Sequence, residues 1–336
     1  MIDIKEEEII SKWNYDLPMV SIIAKAYNHG KFIANTLDNM LSQKTSFPFE
    51  ILVNDDCSKD NTQEIIKEYE KRYPNIIHAV YQYENQTSKG IDVRSDILYP
   101  LAKGKYVALC ECDDYWNDAN KLQTQYDFME SHNDYAMCVH NTIKHDLLTN
   151  EETLFTNKKE DFDLNEKDIF FNWKVHTSSY FMIKEIAFTP KDLRYWFGDY
   201  TMLTLAYSKG KIRYIAKTMS VYSYNNVSGE TYNLLKSLDS LIKKEELRDE
   251  YLIKYNKYTN NKFSKIVNDR LAYDEIYLSK LRYNIDHSIN NFNHLKEVIK
   301  KNKNGMKYFN LNDRFMINIL AMNKLMYKIY SKKEVR

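Results

Sequence analysis

The chain has 336 residues, 43% of them apolar, and a formal net charge of +1, so it can bury a sizeable core and is too long for one ordinary domain. It holds no uninterrupted apolar run of membrane-spanning length, and its opening, MIDIKEEEIISKW, is acidic rather than a basic leader; a cytoplasmic protein is expected. The near-zero total hides a split, because residues 231–336 carry 22 Lys/Arg against 12 Asp/Glu, whereas residues 1–230 carry 26 against 35.

In chain order, MVSIIAKAY (19–27) is a continuous apolar run of strand length, and KFIANTLDNMLSQ (31–43) puts Ile33, Leu37, Met40 and Leu41 on one helical face. FEILVND (49–55) reads as a strand. DNTQEIIKEYEKRY (60–73) reads as a helix capped by Asp60, with Ile65, Ile66 and Tyr69 along it. IIHAVYQ (76–82) is a strand. Residues 92–104 read as a helix broken at Pro100 and stopped at Gly104, YVALCE (106–111) as a strand, and residues 117–132 as a helix with Leu122, Tyr126 and Met129 in line. Strands alternating with helices over short turns predict right-handed βαβ units and an α/β, Rossmann-like, mostly parallel sheet flanked by helices. Further along, 136–146 and 178–184 read as strands, 194–210 as a helix and 211–224 as a strand. These read as the second half (about 136–230), expected to face an acceptor, of a domain whose first half spans about 18–135.

Beyond residue 230 the character changes: no Pro follows Pro190, and no Gly lies between Gly229 and Gly305. Helical spacing, as in Ile266, Leu271, Leu278 and Leu281, predicts a basic helical extension over 231–336. Its last stretch, 315–333, is amphipathic. That leaves three roles open: peripheral contact with the inner face of an anionic membrane, docking on the chain's own domain, or homodimer contact. No recognised nucleic-acid module accompanies the basic tail. Cys57, Cys110, Cys112 and Cys138 form no CxxC pair and read as small buried hydrophobes in a reducing compartment rather than a thiolate metal site.

Two acidic strand ends carry the chemistry. YVALCECDDYWND (106–118) closes a buried strand with Glu111, Asp113 and Asp114. Clustered carboxylates repel unless a cation or hydrogen bonds relieve them. Hard oxygen ligands suit Mg2+ or Mn2+ held with substrate phosphates; the bland alternative is a solvated turn that caps the next helix. EILVNDDCSKDNT (50–62) adds Asp55 and Asp56 at the end of the second strand, which in a parallel sheet lies beside the end of the first. There an acidic group can accept from a base N–H or a ribose hydroxyl, and Tyr27 can stack on a base. In open α/β sheets ligands bind outside these carboxyl ends.

PMVSIIAKAYNHGKFIANTLDNML, FEILVNDDCSKDNT and ENQTSKGIDVRSDILYPLAKGKYVALCECDDYW, taken in order, resemble a family 2 glycosyltransferase of the GT-A fold over about residues 18–225. The resemblance implies a nucleotide pocket of Ala26, Tyr27, Asn28, Asp55, Asp56, Arg94 and Asp113. It implies a divalent cation, Mn2+ or Mg2+, on Asp113, Asp114 and Glu111, and an acceptor-side general base, Asp199. His176 and Trp196 become acceptor contacts. The resemblance further implies a nucleotide-sugar donor, uridine-linked by family habit, and a glycan or lipid-linked acceptor of bacterial surface polysaccharide synthesis. The sequence departs from the family's Pro-Thr at Lys25-Ala26, and has Asn225 or Asn226 where relatives have a His. A sugar-phosphate nucleotidyltransferase would want a Gly-rich loop where YNHGKF stands, a dehydrogenase a GxGxxG after the first strand, and a silent scaffold no need of both acidic clusters.

Overall fold

The structure is a computed structural model and describes residues 3–172, 174–194, 198–225 and 237–322. After a short helix, α1 (Glu6–Ile10), come β1 (Val20–Ala26), α2 (Ile33–Leu41), β2 (Phe49–Asp55), α3 (Thr62–Arg72), β3 (Ile77–Tyr81) and β4 (Tyr106–Leu109). β1 pairs in parallel with β2 on one side and with β4 on the other, and β3 lies parallel beyond β2. Every residue of β2 and β4, and all but Lys25 of β1, is buried. Strands covered on both faces need such continuous apolar runs. α2 buries Ile33, Leu37, Met40 and Leu41, the predicted stripe; each such side chain contributes about 1.5–3 kcal/mol by leaving water.

The predicted helix 92–104 resolves into a π-helical turn, Arg94–Leu98, followed by the short helix α4 (Tyr99–Leu101), which carries Pro100 in its first turn. Gly104 does more than stop it. A Cβ there would come within 2.5 Å of the Ser21 amide nitrogen, so only glycine lets the chain pass this close to β1.

α5 (Lys121–Ser131) leads to β5 (Tyr135–Asp146), and the small strands β6 (Glu152–Leu154) and β7 (Phe162–Asp163) and helix α6 (Glu166–Phe170) follow. β8 (Phe181–Ile183), α7 (Gly198–Lys209) and β9 (Lys211–Tyr224) come next. The sheet order is β3-β2-β1-β4-β8-β5-β9-β7, with β6 on β5. β8 runs antiparallel to both β4 and β5, while β5 and β9 are parallel. The α/β architecture is the expected one; the antiparallel β8 between its two parallel blocks is not foreseeable from a three-residue strand.

Two compact units divide the described residues: one from 3–165, 174–190 and 198–225, the other from 166–172, 191–194 and 237–322. The second unit is helical, with helices Leu238–Tyr258, Ser264–Ile285, Ile289–Lys301, Lys303–Met306 and Leu311–Met322. Ile276, Tyr283, Phe292, Leu295, Val298 and Phe309 are among its buried core. Phe171 stacks on Tyr308 at 3.6 Å, and the Phe170 carbonyl accepts from Arg270 Nη1 at 2.6 Å, which ties 166–172 into this unit. Arg270 and Arg248 each bond one oxygen of the buried Asp274 at 2.7 Å, so this buried charge is paired, as it must be. Among the described residues no helix is long and apolar enough to cross a membrane. The predicted helix 315–333 lies outside the described residues from 323 onward.

Candidate active site

The chain leaves β1 for β2 and β3 on one side, then returns to lay β4 on the other. Between β1 and β4 the connections diverge, and the carboxyl ends there open a crevice. After β4 the chain still follows β1: Cys110 N–H donates to Ile23 O and Cys112 N–H to Lys25 O, both at 3.2 Å. Glu111, Asp113 and Asp114 therefore stand at the mouth of that crevice, all within the first unit.

The acidic turn is held on two sides. From α2, Thr36 Oγ1 donates to Asp114 O at 2.6 Å and to Cys112 O at 3.2 Å. From β9, Ser223 Oγ donates to Asp113 O at 2.5 Å and its N–H to Asp114 Oδ1 at 2.9 Å. Tyr115 bridges to Val221, and Trp116 Nε1 donates to Ser178 O at 2.9 Å.

The three carboxylates differ. Glu111 is bonded to Arg94 Nη2, with Lys25 Nζ at 4.0 Å. Burial alone would raise its carboxyl, but Arg94, Lys25 and His29 hold it below the usual carboxylate range. Asp114 is 2% exposed, one oxygen on the Ser223 amide and the other 3.7 Å from His176 Nδ1. Burial, and then the neighbouring Asp113 charge, push it well above that range against the Ser223 bond. Asp113 points Oδ2 at His29 Nε2 across 3.9 Å.

The second acidic pair also divides. Asp56 gives both oxygens to the following loop, accepting from Gln86 N at 2.7 Å and Thr87 N at 3.1 Å, and its own N–H donates to Ala26 O at 2.9 Å. Asp55 is fully buried, accepts through Oδ2 from Ser58 N and Gln63 Nε2, and leaves Oδ1 buried without a hydrogen-bond partner. Such an orphan is costly unless something fills it. Ala26 is buried and Tyr27 is 42% exposed beside them. Asn28 sits in the left-handed region at φ 57°, its N–H donating to Ser58 Oγ at 2.9 Å while its Oδ1 accepts from Lys59 N at 2.8 Å. Asp60 accepts from Gly30 N at 2.9 Å as well as from Thr62 N at 3.1 Å, so it clamps this loop besides opening α3. Here the structure separates two residues that the sequence treats alike: Asp56 orders the loop and Asp55 has a vacant acceptor.

Asp199 lies in the first turn of α7, its Oδ1 accepting the Tyr200 N–H at 2.9 Å. Arg94 lies near this helix as well as in the turn's ion pair. A Cβ on Gly198 would lie 3.7 Å from Arg94 Nη1, and although burial opposes its charge, Glu111, Tyr99 and Asp199 hold the guanidinium firmly protonated. His176 stacks on Tyr222 at 4.1 Å, and burial pushes its imidazole down to about 3. It is thus neutral, with Nδ1 accepting from Ser178 N at 3.3 Å and its proton on Nε2. Trp196 and Asn226 lie outside the described residues. Asn225 turns away to Asp146 Oδ2 at 2.9 Å. Sequence reasoning passed over His29, a lone loop histidine, and Ser223, one serine in a long strand; no local signal marks either.

The model of the family described as "Glycosyl transferase family 2" matches residues 21–189, half of the chain. The chain belongs to glycosyl transferase family 2. The match takes in β1 through β8, and hence both acidic pairs and Arg94. One relative, the Escherichia coli UDP-Glc:alpha-D-GlcNAc-diphosphoundecaprenol beta-1,3-glucosyltransferase WfaP, is 34% identical over 115 residues, 34% of this chain and 43% of its own. The chain spans less than half the length of the curated relatives it matches. Staphylococcus aureus TarS 1–349, solved with UDP-GlcNAc, superposes with a TM-score of 0.63 at 14% identity, covering 94% of this chain and 92% of TarS. The Pyrobaculum calidifontis mannosyltransferase PcManGT, solved with GDP-Man and Mn2+, gives 0.53 at 14% identity, covering 95% and 89%. The fold of this family 2 member is thus that of GT-A glycosyltransferases.

Proposed function

We propose that this family 2 protein is an inverting glycosyltransferase. It moves a sugar from a nucleoside-diphosphate donor, by preference UDP-linked, to a hydroxyl of a glycan or lipid-linked acceptor in bacterial surface polysaccharide synthesis. One observation carries the reading: two separate carboxylate groups meet at the carboxyl ends of β1, β2 and β4, Asp55 with a buried unpartnered oxygen and Asp113 facing His29. Names of similar proteins that carry UDP-Glc and UDP-GlcNAc support the uridine donor.

Accepting from the base N–H falls to Asp55, whose Oδ1 has no partner but is enclosed, so donor binding has to open a path to it, and Tyr27 covers the ring. A divalent cation fits this site through Asp113. Among the described residues no three His, Cys, Asp or Glu side chains form a ready cage, which suits an ion that takes one or two protein groups plus substrate phosphates. Glu111, neutralised by Arg94 and Lys25, is better suited to fixing Arg94 than to ligation, and Asp114 to bracing the turn through Ser223. When bound, the cation offsets the negative charge that builds on the diphosphate. Asp199 takes the acceptor hydroxyl's proton as that oxygen bonds to the anomeric carbon. The anomeric carbon–oxygen bond breaks on the opposite face, and its electron pair leaves with the nucleoside diphosphate.

Asp199→Asn tests the assignment. Transfer, assayed with a panel of UDP-sugars and polyprenyl-linked acceptors, should fall at least ~10²-fold. Mn2+-dependent UDP binding by calorimetry should stay within about twofold. Full activity in that variant removes Asp199 as the base.

A further inference from the structure

The loop after β1 (residues 27–32) carries His29, a residue that neither the family motifs nor the reading above assigns. Its ring is largely enclosed, with the side chain 15% exposed. Nδ1 is buried and makes no hydrogen bond, so no hydrogen bond at Nδ1 fixes the tautomer of the ring. Nε2 faces Asp113 Oδ2 at 3.9 Å. That gap is too wide for a hydrogen bond, which needs about 3.2 Å or less. It is also the separation that two ligands of one ion can have: with bonds of about 2.1 Å they lie at most about 4.2 Å apart. The backbone supports the placement, since the His29 carbonyl accepts from Phe32 N at 2.8 Å and Ile33 N at 2.9 Å, which fixes the loop to the start of α2. The same helix grips the acidic turn through Thr36. One element therefore sets the distance between His29 and Asp113.

We propose that His29 Nε2 is the second protein ligand, beside Asp113, of the divalent cation that seats the donor diphosphate. The inference rests on the reading that Asp113 holds that cation. An imidazole nitrogen in the set shifts preference from Mg2+, which demands oxygen ligands, toward Mn2+, which accepts nitrogen.

The test uses the full chain with Mn2+ and UDP, following Mn2+ by electron spin echo spectroscopy and affinity by calorimetry. Circular dichroism and melting confirm that each variant is folded. The wild-type Mn2+–UDP complex should show modulation from a directly bound imidazole nitrogen. His29→Gln should abolish that signal and His176→Gln should keep it. His29→Ala should weaken Mn2+ binding in the presence of UDP at least about tenfold, leaving UDP affinity in EDTA unchanged. Persistence of the nitrogen signal in His29→Gln, or Mn2+ affinity within twofold in His29→Ala, overturns the proposal. Loss of UDP affinity in EDTA overturns it too, and makes His29 a phosphate donor instead. If Asp113→Asn also leaves Mn2+–UDP binding intact, or Mn2+ leaves the wild-type affinity for UDP unchanged from that in EDTA, the underlying cation seat fails, a result separate from failure of His29 alone.

Discussion

Lys121 is fully buried at the start of α5, with Nζ 3.9 Å above the Trp116 ring and no hydrogen-bond acceptor. Burial pushes its ammonium down to about 7 from 10.5, only partly opposed by Cys110 and Cys138. The sign of the linkage follows: between these values the unfolded chain binds more protons than the folded one, so stability rises with pH. The penalty is full below pH 7 and gone by about 10.5. At about 1.4 kcal/mol per unit, Lys121→Met should be a few kcal/mol more stable than wild type near pH 7, with the gap closing by pH 10.5. Urea unfolding across that range measures it; a gap independent of pH would show that this ammonium is solvated in the folded protein. The same scale shows where residue types were readable. Asp55 and Asp56 stood out as acidic strand ends, but which of them keeps a vacant oxygen depends on the Gln86 and Thr87 amides of a distant loop. That Glu111 pairs with Arg94 was not readable either, because the two lie 17 residues apart and meet through the π-helical turn.

At the scale of elements, periodicity reported β1, α2, β2, α3, β3 and β4 well, because each buries a continuous run or a single stripe. It said little about β6 and β7, of two or three residues, and although 178–184 read as a strand, the antiparallel pairing of β8 within it is decided by neighbours rather than by pattern. Gly104 shows the difference between local and tertiary demands. It read as a helix stop, yet its backbone is not in the left-handed region, and what excludes a side chain is β1, with Val20 C at 2.7 Å and Ser21 N at 2.5 Å from a built Cβ. Gly104→Ala should therefore cost about 1–3 kcal/mol through overpacking alone, read as a lower urea midpoint with unchanged slope. A loss under about 0.5 kcal/mol would mean that the start of β1 yields freely. Gly305 meets a similar limit in the helical unit, at 2.5 Å from Ala272 C.

At the scale of the whole chain, the charge split remains the feature that function has to absorb. The helical unit exposes Leu311 and Phe315 near its described end, and residues 231–336 carry 22 Lys/Arg against 12 Asp/Glu. In keeping with a lipid-linked acceptor, the full chain should co-sediment with vesicles containing about a third phosphatidylglycerol. It should be released as salt rises and the Debye length shrinks from about 10 Å toward 3 Å, and it should not bind neutral vesicles. Equal partition to both vesicle types at all salt concentrations would remove the electrostatic contact. Arg94 has a wider consequence. One guanidinium is bonded to Glu111 in the turn after β4 and lies within electrostatic reach of Asp199 on α7. Glu111 and Asp199 thus share one positive charge, so a change of charge at either alters the field at the other.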